Sequence, residues 1–149
     1  MRGHEGRPGQ VNVRVAWWMI GASMAVGAVL GLWSFGAPLT PPPGFRAFDD
    51  LPRRLVRLGH IAGVALPALN LLYVPWMART RWSRATRRAG CGLLLFGTLA
   101  LPGFLGLAAF WGPGLYLLPV PVLSLIAAVW LLAAGLRRRP LHQPGGIGR

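Results

Sequence analysis

The sequence predicts an all-α membrane protein: a bundle of four transmembrane helices with no soluble domain. Hydrophobic residues make up 54% of the 149-residue chain and charged residues only 13%, whereas about a quarter of a soluble domain is charged. Four apolar runs are each long enough to cross a hydrocarbon core about 30 Å thick. We place the spans at about 15–35, 55–76, 89–111 and 115–136, between tails at 1–14 and 137–149.

The distribution of basic residues predicts the topology and the lipid environment. The net charge is +13, from 16 basic and 3 acidic residues, and the basic residues flank the apolar runs. We therefore expect contacts with anionic lipid headgroups and no nucleic-acid partner. The short loop 78–88 is rich in arginine and has no acid, as cytoplasmic loops usually are. Four spans then place both termini in the cytoplasm (N-in/C-in). The absence of lysine favours a GC-rich bacterial source, hence a multi-pass protein of the bacterial inner membrane.

The first span carries a ridge of small residues at a spacing of four: Ser23, Gly27 and Gly31. Such a ridge lets a neighbouring helix backbone approach closely. We expect packing within the chain rather than homodimerisation. The apolar run is longer than that of a signal peptide, which favours an uncleaved helix. Residues 1–13 are polar and read as a disordered tail.

The connection between the first two spans contains three consecutive prolines and then Gly44, which predict extended chain followed by a turn. Phe45 and Phe48 are expected to return to the membrane interface. On the N-in/C-in topology this connection lies outside, together with arginines that the positive-inside rule does not expect there. We infer that these arginines have a task or a fixed partner. They are Arg46, Arg53, Arg54 and Arg57.

The second span holds the polar chemistry of the predicted bundle. Arg53, Arg57, His60, Pro67 and Asn70 are spaced by three and four residues and share one helix face. Gly59 and Gly63 form a GxxxG pattern that brings a neighbouring helix close to His60. We expect Gly59, Gly63 and Asn70 to serve helix packing, together with the ridge of the first span.

His60 has two interpretations. The favoured one is a hydrogen bond to a carbonyl or polar side chain that fixes helix packing. The alternative is that His60 is the axial ligand of haem b, its only metal role, with Arg53, Arg54 and Arg57 on the propionates. No other predicted span contains histidine, so the second ligand would have to be Met19, Met24 or a residue of another subunit.

These observations favour a small non-enzymatic accessory or structural subunit that packs against other membrane subunits or itself. The alternatives are a haem b electron-transfer subunit and a small channel or carrier for anions. A proton-coupled exporter would need a carboxylate inside a span, and the three acids lie outside the spans. No catalytic residues are predicted.

Overall fold

A computed structural model of the chain describes residues 9–34 and 40–137. In these ranges the chain is helical without strands, and four helical segments are long and apolar enough to cross a membrane. The predicted all-α, four-span architecture is therefore confirmed. The helices are α1 (Gln10–Ser34), α2 (Leu51–Ala78), α3 (Arg84–Phe110) and α4 (Pro119–Arg137), and the 3₁₀ segment Gly112–Leu117 precedes α4.

The helices extend beyond the predicted spans at their polar ends. Helix α1 begins at Gln10 instead of residue 15, so the predicted disordered tail is wrong for residues 10–13. Helix α2 begins directly after Asp50, with Pro52 in its first turn, where the fixed φ of proline suits a helix. The arginines of the predicted loop from Arg84 onward belong to α3, because the Ser83 hydroxyl accepts a hydrogen bond from the Thr86 amide and starts the helix there. Residues 1–8, 35–39 and 138–149, including most of both predicted tails, lie outside the described residues.

Helices α2 and α3 form the centre of the bundle, with α1 packed mainly on α2 and α4 on α3. Two buried clusters fill the space between them. One joins α2, α3 and α4, and the other lies between the start of α2 and the end of α3. Their members are Tyr73, Met77, Cys91, Leu94 and Ala128 in the first, and Leu55, Leu105, Ala108 and Ala109 in the second.

The antiparallel helices give the bundle two different ends. The basic end contains the start of α1, the loop 79–83 and the end of α4, where the indole N–H of Trp82 donates to the Leu131 carbonyl over 2.9 Å. The proline end contains the segment 40–50 and the end of α3. There the buried ring of Phe45 lies 5.8 Å from the ring of Trp33 and from that of Phe110. The predicted turn at Gly44 is present, with φ at +82°.

Helices α3 and α4 meet where Gly97 faces Leu125 and Pro121. A Cβ on Gly97 would lie 2.5 Å from Leu125 Cγ and 3.0 Å from the Pro121 carbonyl oxygen. The Ser124 hydroxyl donates to the Leu93 carbonyl over 2.6 Å across the same interface. Without a hydrophobic driving force between helices in lipid, this close approach and the hydrogen bond hold α4 in place.

We predict that Gly97→Ala lowers the free energy of unfolding by about 1–3 kcal/mol, because the new methyl group overpacks the α3–α4 interface. Gly103→Ala is the matched control, since nothing lies within 4 Å of a Cβ at Gly103. The measurement is thermal unfolding of both variants in the same detergent. Equal midpoints for the two variants would contradict the close approach of α4.

Candidate functional site

A chain of buried hydrogen bonds joins the first three helices near the basic end. The Asn12 carboxamide N–H₂ of α1 donates to Asn70 Oδ1 of α2 and to the Cys91 carbonyl of α3, both over 2.8 Å. Asn70 donates in turn to Thr98 Oγ1, and the Thr98 hydroxyl donates to the Leu94 carbonyl over 2.7 Å. Asn70 and Thr98 are fully buried and Asn12 is 3% exposed.

Within this hydrogen-bond network the carboxamide N–H groups of Asn12 and Asn70 and the hydroxyl of Thr98 all donate to an acceptor on another helix or on their own. An unpaired polar group in hydrocarbon costs several kcal/mol, so the three side chains favour the one arrangement that pairs them all. The chain therefore fixes the rotation of α1, α2 and α3 about their axes. It is a structural centre in which every donor has an acceptor, and its side chains carry neither an ionisable group nor a nucleophile placed beside a base.

His60 contacts α1 directly. Its Nδ1 lies 2.7 Å from the Ser23 carbonyl oxygen, and because a carbonyl only accepts, Nδ1 is the donor. A Cβ on Gly27 would collide with the His60 ring, and a Cβ on Gly63 would collide with the Ser23 side chain. The small residues Ser23 and Gly27 of α1 thus interlock with His60 and Gly63 of α2 inside one chain. Gly59 faces α3 instead, because a Cβ on Gly59 would lie 3.3 Å from the Pro102 carbonyl oxygen. Gly31 is half-buried.

The geometry at His60 does not fit a haem. A Cβ on Gly27 would lie 2.8 Å from Nε2, so the nitrogen left free by the Ser23 hydrogen bond is pressed against the backbone of α1. His60 lines an apolar groove of about 610 Å³ between α1, α2 and α3. Among the described residues that line this groove, none is a second histidine, a methionine or a cysteine. Met24 is 63% exposed elsewhere on α1.

The predicted propionate ligands point to different places. Arg53 is 4% exposed and donates to the carbonyls of Phe45 and Arg46 over 3.4 Å and to Ser34 Oγ over 3.0 Å. Arg57 lies over the ring of Phe48, 3.9 Å from its centroid. Arg54 and Arg57 line a separate groove of about 380 Å³, which His60 does not line. The structure therefore brings none of these arginines together with His60.

Arg53 and Arg57 have fixed partners in the segment 40–50. Together they hold this segment against the start of α2, by hydrogen bonds to its carbonyls and by stacking on Phe48. The Asp50 carboxylate accepts from the Ala47 amide over 2.8 Å, which closes a turn in the same segment. These contacts give Arg53 and Arg57 a structural role that needs no ligand.

Asn12 is the site residue that sequence reasoning missed. It stands among Gln10 and Arg14 in a stretch that looks like a polar tail, and only its partners on α2 and α3 bury it. One signal was available in the sequence. The chain has only two asparagines: Asn12 precedes the first apolar run, and Asn70 lies within the second. In the described residues there is no cluster of three or more histidine, cysteine or acidic side chains that could hold a metal ion.

Comparison with known proteins gives one distant similarity. The chain is 31% identical over 106 residues to "Probable anion transporter 3, chloroplastic" of Oryza sativa subsp. japonica. The match covers 69% of this chain but only 19% of the plant protein, so the chain spans about a fifth of that protein's length. No protein-family profile matches the chain. No solved structure matches it either. The similarity agrees with an integral, multi-pass membrane protein.

We predict an energetic coupling between Asn12 and Asn70. Asn12→Ala and Asn70→Ala should each destabilise the protein, and the double variant should lose less than the sum of both. The coupling free energy should be about 0.6–1.7 kcal/mol, as for hydrogen bonds between membrane helices. Reversible unfolding in mixed micelles measures it. Strictly additive effects would show that the two carboxamides do not interact.

We predict that His60→Phe lowers the unfolding free energy by about 1 kcal/mol, because the Ser23 carbonyl loses its donor. His60→Asn, which keeps a donor near the position of Nδ1, should lose less. Thermal unfolding of the three proteins measures the difference, and absorption spectra of the same samples from haem-replete cells should be flat in the Soret region. A Soret band that both substitutions remove would instead support the haem b interpretation.

Proposed function

We propose that this protein is a non-enzymatic accessory subunit that packs against another membrane protein. The observation that carries the proposal is the use of the polar side chains inside the bundle. Asn12, Asn70, Thr98, Ser124 and His60 all serve contacts between helices of this chain. The three grooves of about 800, 630 and 610 Å³ are lined mostly by apolar residues, which supports a packing role rather than an aqueous path.

The outer face of α1 is the surface best shaped for a partner. It carries a depression of about 630 Å³, lined by Arg14, Trp17, Trp18, Gly21 and Ala22. Trp18 is 82% exposed, and nothing lies within 4 Å of a Cβ at Gly21. Exposed apolar side chains are normal in lipid. A depression between two tryptophans and a glycine, however, is a shape into which a transmembrane helix of a second protein can pack.

The orientation and location belong to the same proposal. The basic end carries Arg14, Arg79, Arg81, Arg84, Arg87, Arg88 and Arg137. The proline end carries both aspartates and fewer arginines, two of which are held by the segment 40–50. This asymmetry supports a cytoplasmic basic end, N-in/C-in, in a bacterial inner membrane.

We predict that Gly21→Leu prevents binding of the partner helix without changing the stability of the isolated protein. The new side chain enters open space in the monomer but fills the gap that the partner needs. Gly92→Leu is the control, because a Cβ at Gly92 also meets nothing within 4 Å and lies on α3.

The measurement is site-specific photo-crosslinking from position 18 in native membranes. We expect one stoichiometric protein adduct in the wild type and in Gly92→Leu, and its loss in Gly21→Leu. An adduct that forms equally in all three proteins, or crosslinks to lipid alone, would contradict docking at this face.

The similarity to a named anion transporter favours a second candidate, a small carrier or channel for anions. Arg54 and Arg57, which line the groove of about 380 Å³ at the proline end together with Asp49, would attract the anion. This candidate has to open a path that the described structure does not contain. It would also have to release the hydrogen bonds between helices described above.

Reconstitution into liposomes separates the two candidates. The accessory role predicts chloride and phosphate flux equal to that of empty liposomes. A carrier or channel predicts flux above that level, reduced at least severalfold by Arg54→Gln and unchanged by Arg88→Gln, an exposed arginine at the other end.

A further inference from the structure

A second groove, at the basic end, combines a charged mouth with an apolar interior. It has a volume of about 800 Å³ and lies between the start of α1, the last turns of α2 and the first turns of α3. We call it the basic-end groove. Its lining residues are Gly9, Gln10, Val13, Leu71, Val74, Pro75, Met77, Ala78, Arg84, Arg87 and Cys91.

Among the described residues, the charged side chains that line this groove are all positive. Arg84 and Arg87 contribute guanidinium groups, and none of the described lining residues is acidic. The chain has three acids, of which Asp49 and Asp50 belong to the proline end and Glu5 lies outside the described residues. No acid follows residue 50, so α2, α3 and α4 offer this groove no counter-charge.

Arg87 has hydrogen-bonding capacity left over. One terminal nitrogen, Nη1, donates to the Ala78 carbonyl over 3.2 Å, which fixes the guanidinium beside the last turn of α2. Its Nε is buried and has no hydrogen-bond partner among the described residues. A buried guanidinium N–H without an acceptor is costly, and a phosphate oxygen is an acceptor whose geometry suits a guanidinium group.

The interior of the groove suits an acyl chain. Val13, Leu71 and Val74 line it, and Cys91 lies one helical turn below Arg87 on α3. Pro75 has no N–H, so the Leu71 carbonyl lacks its usual donor within α2 and can accept from a hydroxyl group. The groove therefore offers cationic donors at its mouth, an acceptor in its wall and apolar surface inside.

We propose that the basic-end groove binds one anionic phospholipid, with its phosphate on Arg87 and Arg84 and an acyl chain between α1 and α2. The ends of α2 and α3 place the two arginines at the level where headgroups lie, as in other basic pockets between transmembrane helices. The lipid would join α1 to the α2–α3 pair at the end where the Asn12 hydrogen bonds also hold it. Binding is independent of the partner proposed for the outer face of α1.

The test is native mass spectrometry of the full-length protein released from nanodiscs with equal amounts of phosphatidylglycerol and phosphatidylcholine of identical acyl chains. We expect one phosphatidylglycerol retained per protein, in clear excess over phosphatidylcholine. Arg87→Gln should reduce this preference about fivefold, the effect of removing one basic contact with an anionic headgroup. Arg88→Gln, exposed on the same helix and outside the groove, should leave it unchanged.

Two further variants keep the proposal testable if Arg87→Gln fails to fold. Arg87→Lys keeps the charge and should keep part of the preference, whereas Val13→Trp fills the interior and should reduce retention of both lipids. Equal retention of the two lipids by the wild type, or equal loss in Arg87→Gln and Arg88→Gln, would overturn the proposal. Displacement of the lipid by millimolar inorganic phosphate would overturn it in favour of a site for a free anion.

Discussion

The hydrogen bond between the Asn12 and Asn70 carboxamides is the interaction on which the arrangement of the bundle depends. In lipid, apolar side chains do not drive helices together, because the acyl chains are as apolar as the side chains. A buried carboxamide, by contrast, must find its partners on a neighbouring helix. Asn12 donates to partners on both α2 and α3, and Asn70 in turn donates to Thr98 on α3. The remaining contacts of α1 then follow from its rotation.

Small residues at the helix interfaces allow the helices, once oriented about their axes, to pack closely. Gly27 and Gly63 let α1 and α2 interlock through His60 and Ser23, while Gly97 lets α4 approach α3. Each approach is paired with a hydrogen bond between helices, from His60 to the Ser23 carbonyl and from Ser124 to the Leu93 carbonyl. The polar groups of the spans are thereby used for assembly of the bundle, and this use is the observation behind the proposed accessory role.

Sequence reasoning predicted the four-span helical architecture because hydrophobic length depends on the membrane and not on tertiary detail. It also placed His60, Gly63 and Asn70 on the packing face of α2, since helical spacing alone determines that face. It missed the start of α1, because Asn12 is polar and is buried only by residues 58 and 79 positions away. It posed the question of the proline-end arginines but could not answer it. For Arg53 and Arg57 the answer lies in the backbone carbonyls of Phe45, Arg46 and Phe48, which no side-chain pattern reveals.

The most direct test of the account uses the fact that the chain contains only two asparagines. Selective ¹⁵N-asparagine labelling gives two pairs of side-chain N–H signals, one pair for each carboxamide, in an NMR spectrum of the protein in detergent. If Asn12 and Asn70 form the buried pair, both carboxamides should exchange with water orders of magnitude more slowly than a free amide. Substitution of either residue should then shift the signal of the other. Rapid exchange of the Asn12 carboxamide, with no response to Asn70→Ala, would contradict the account and return residues 10–13 to a solvated tail.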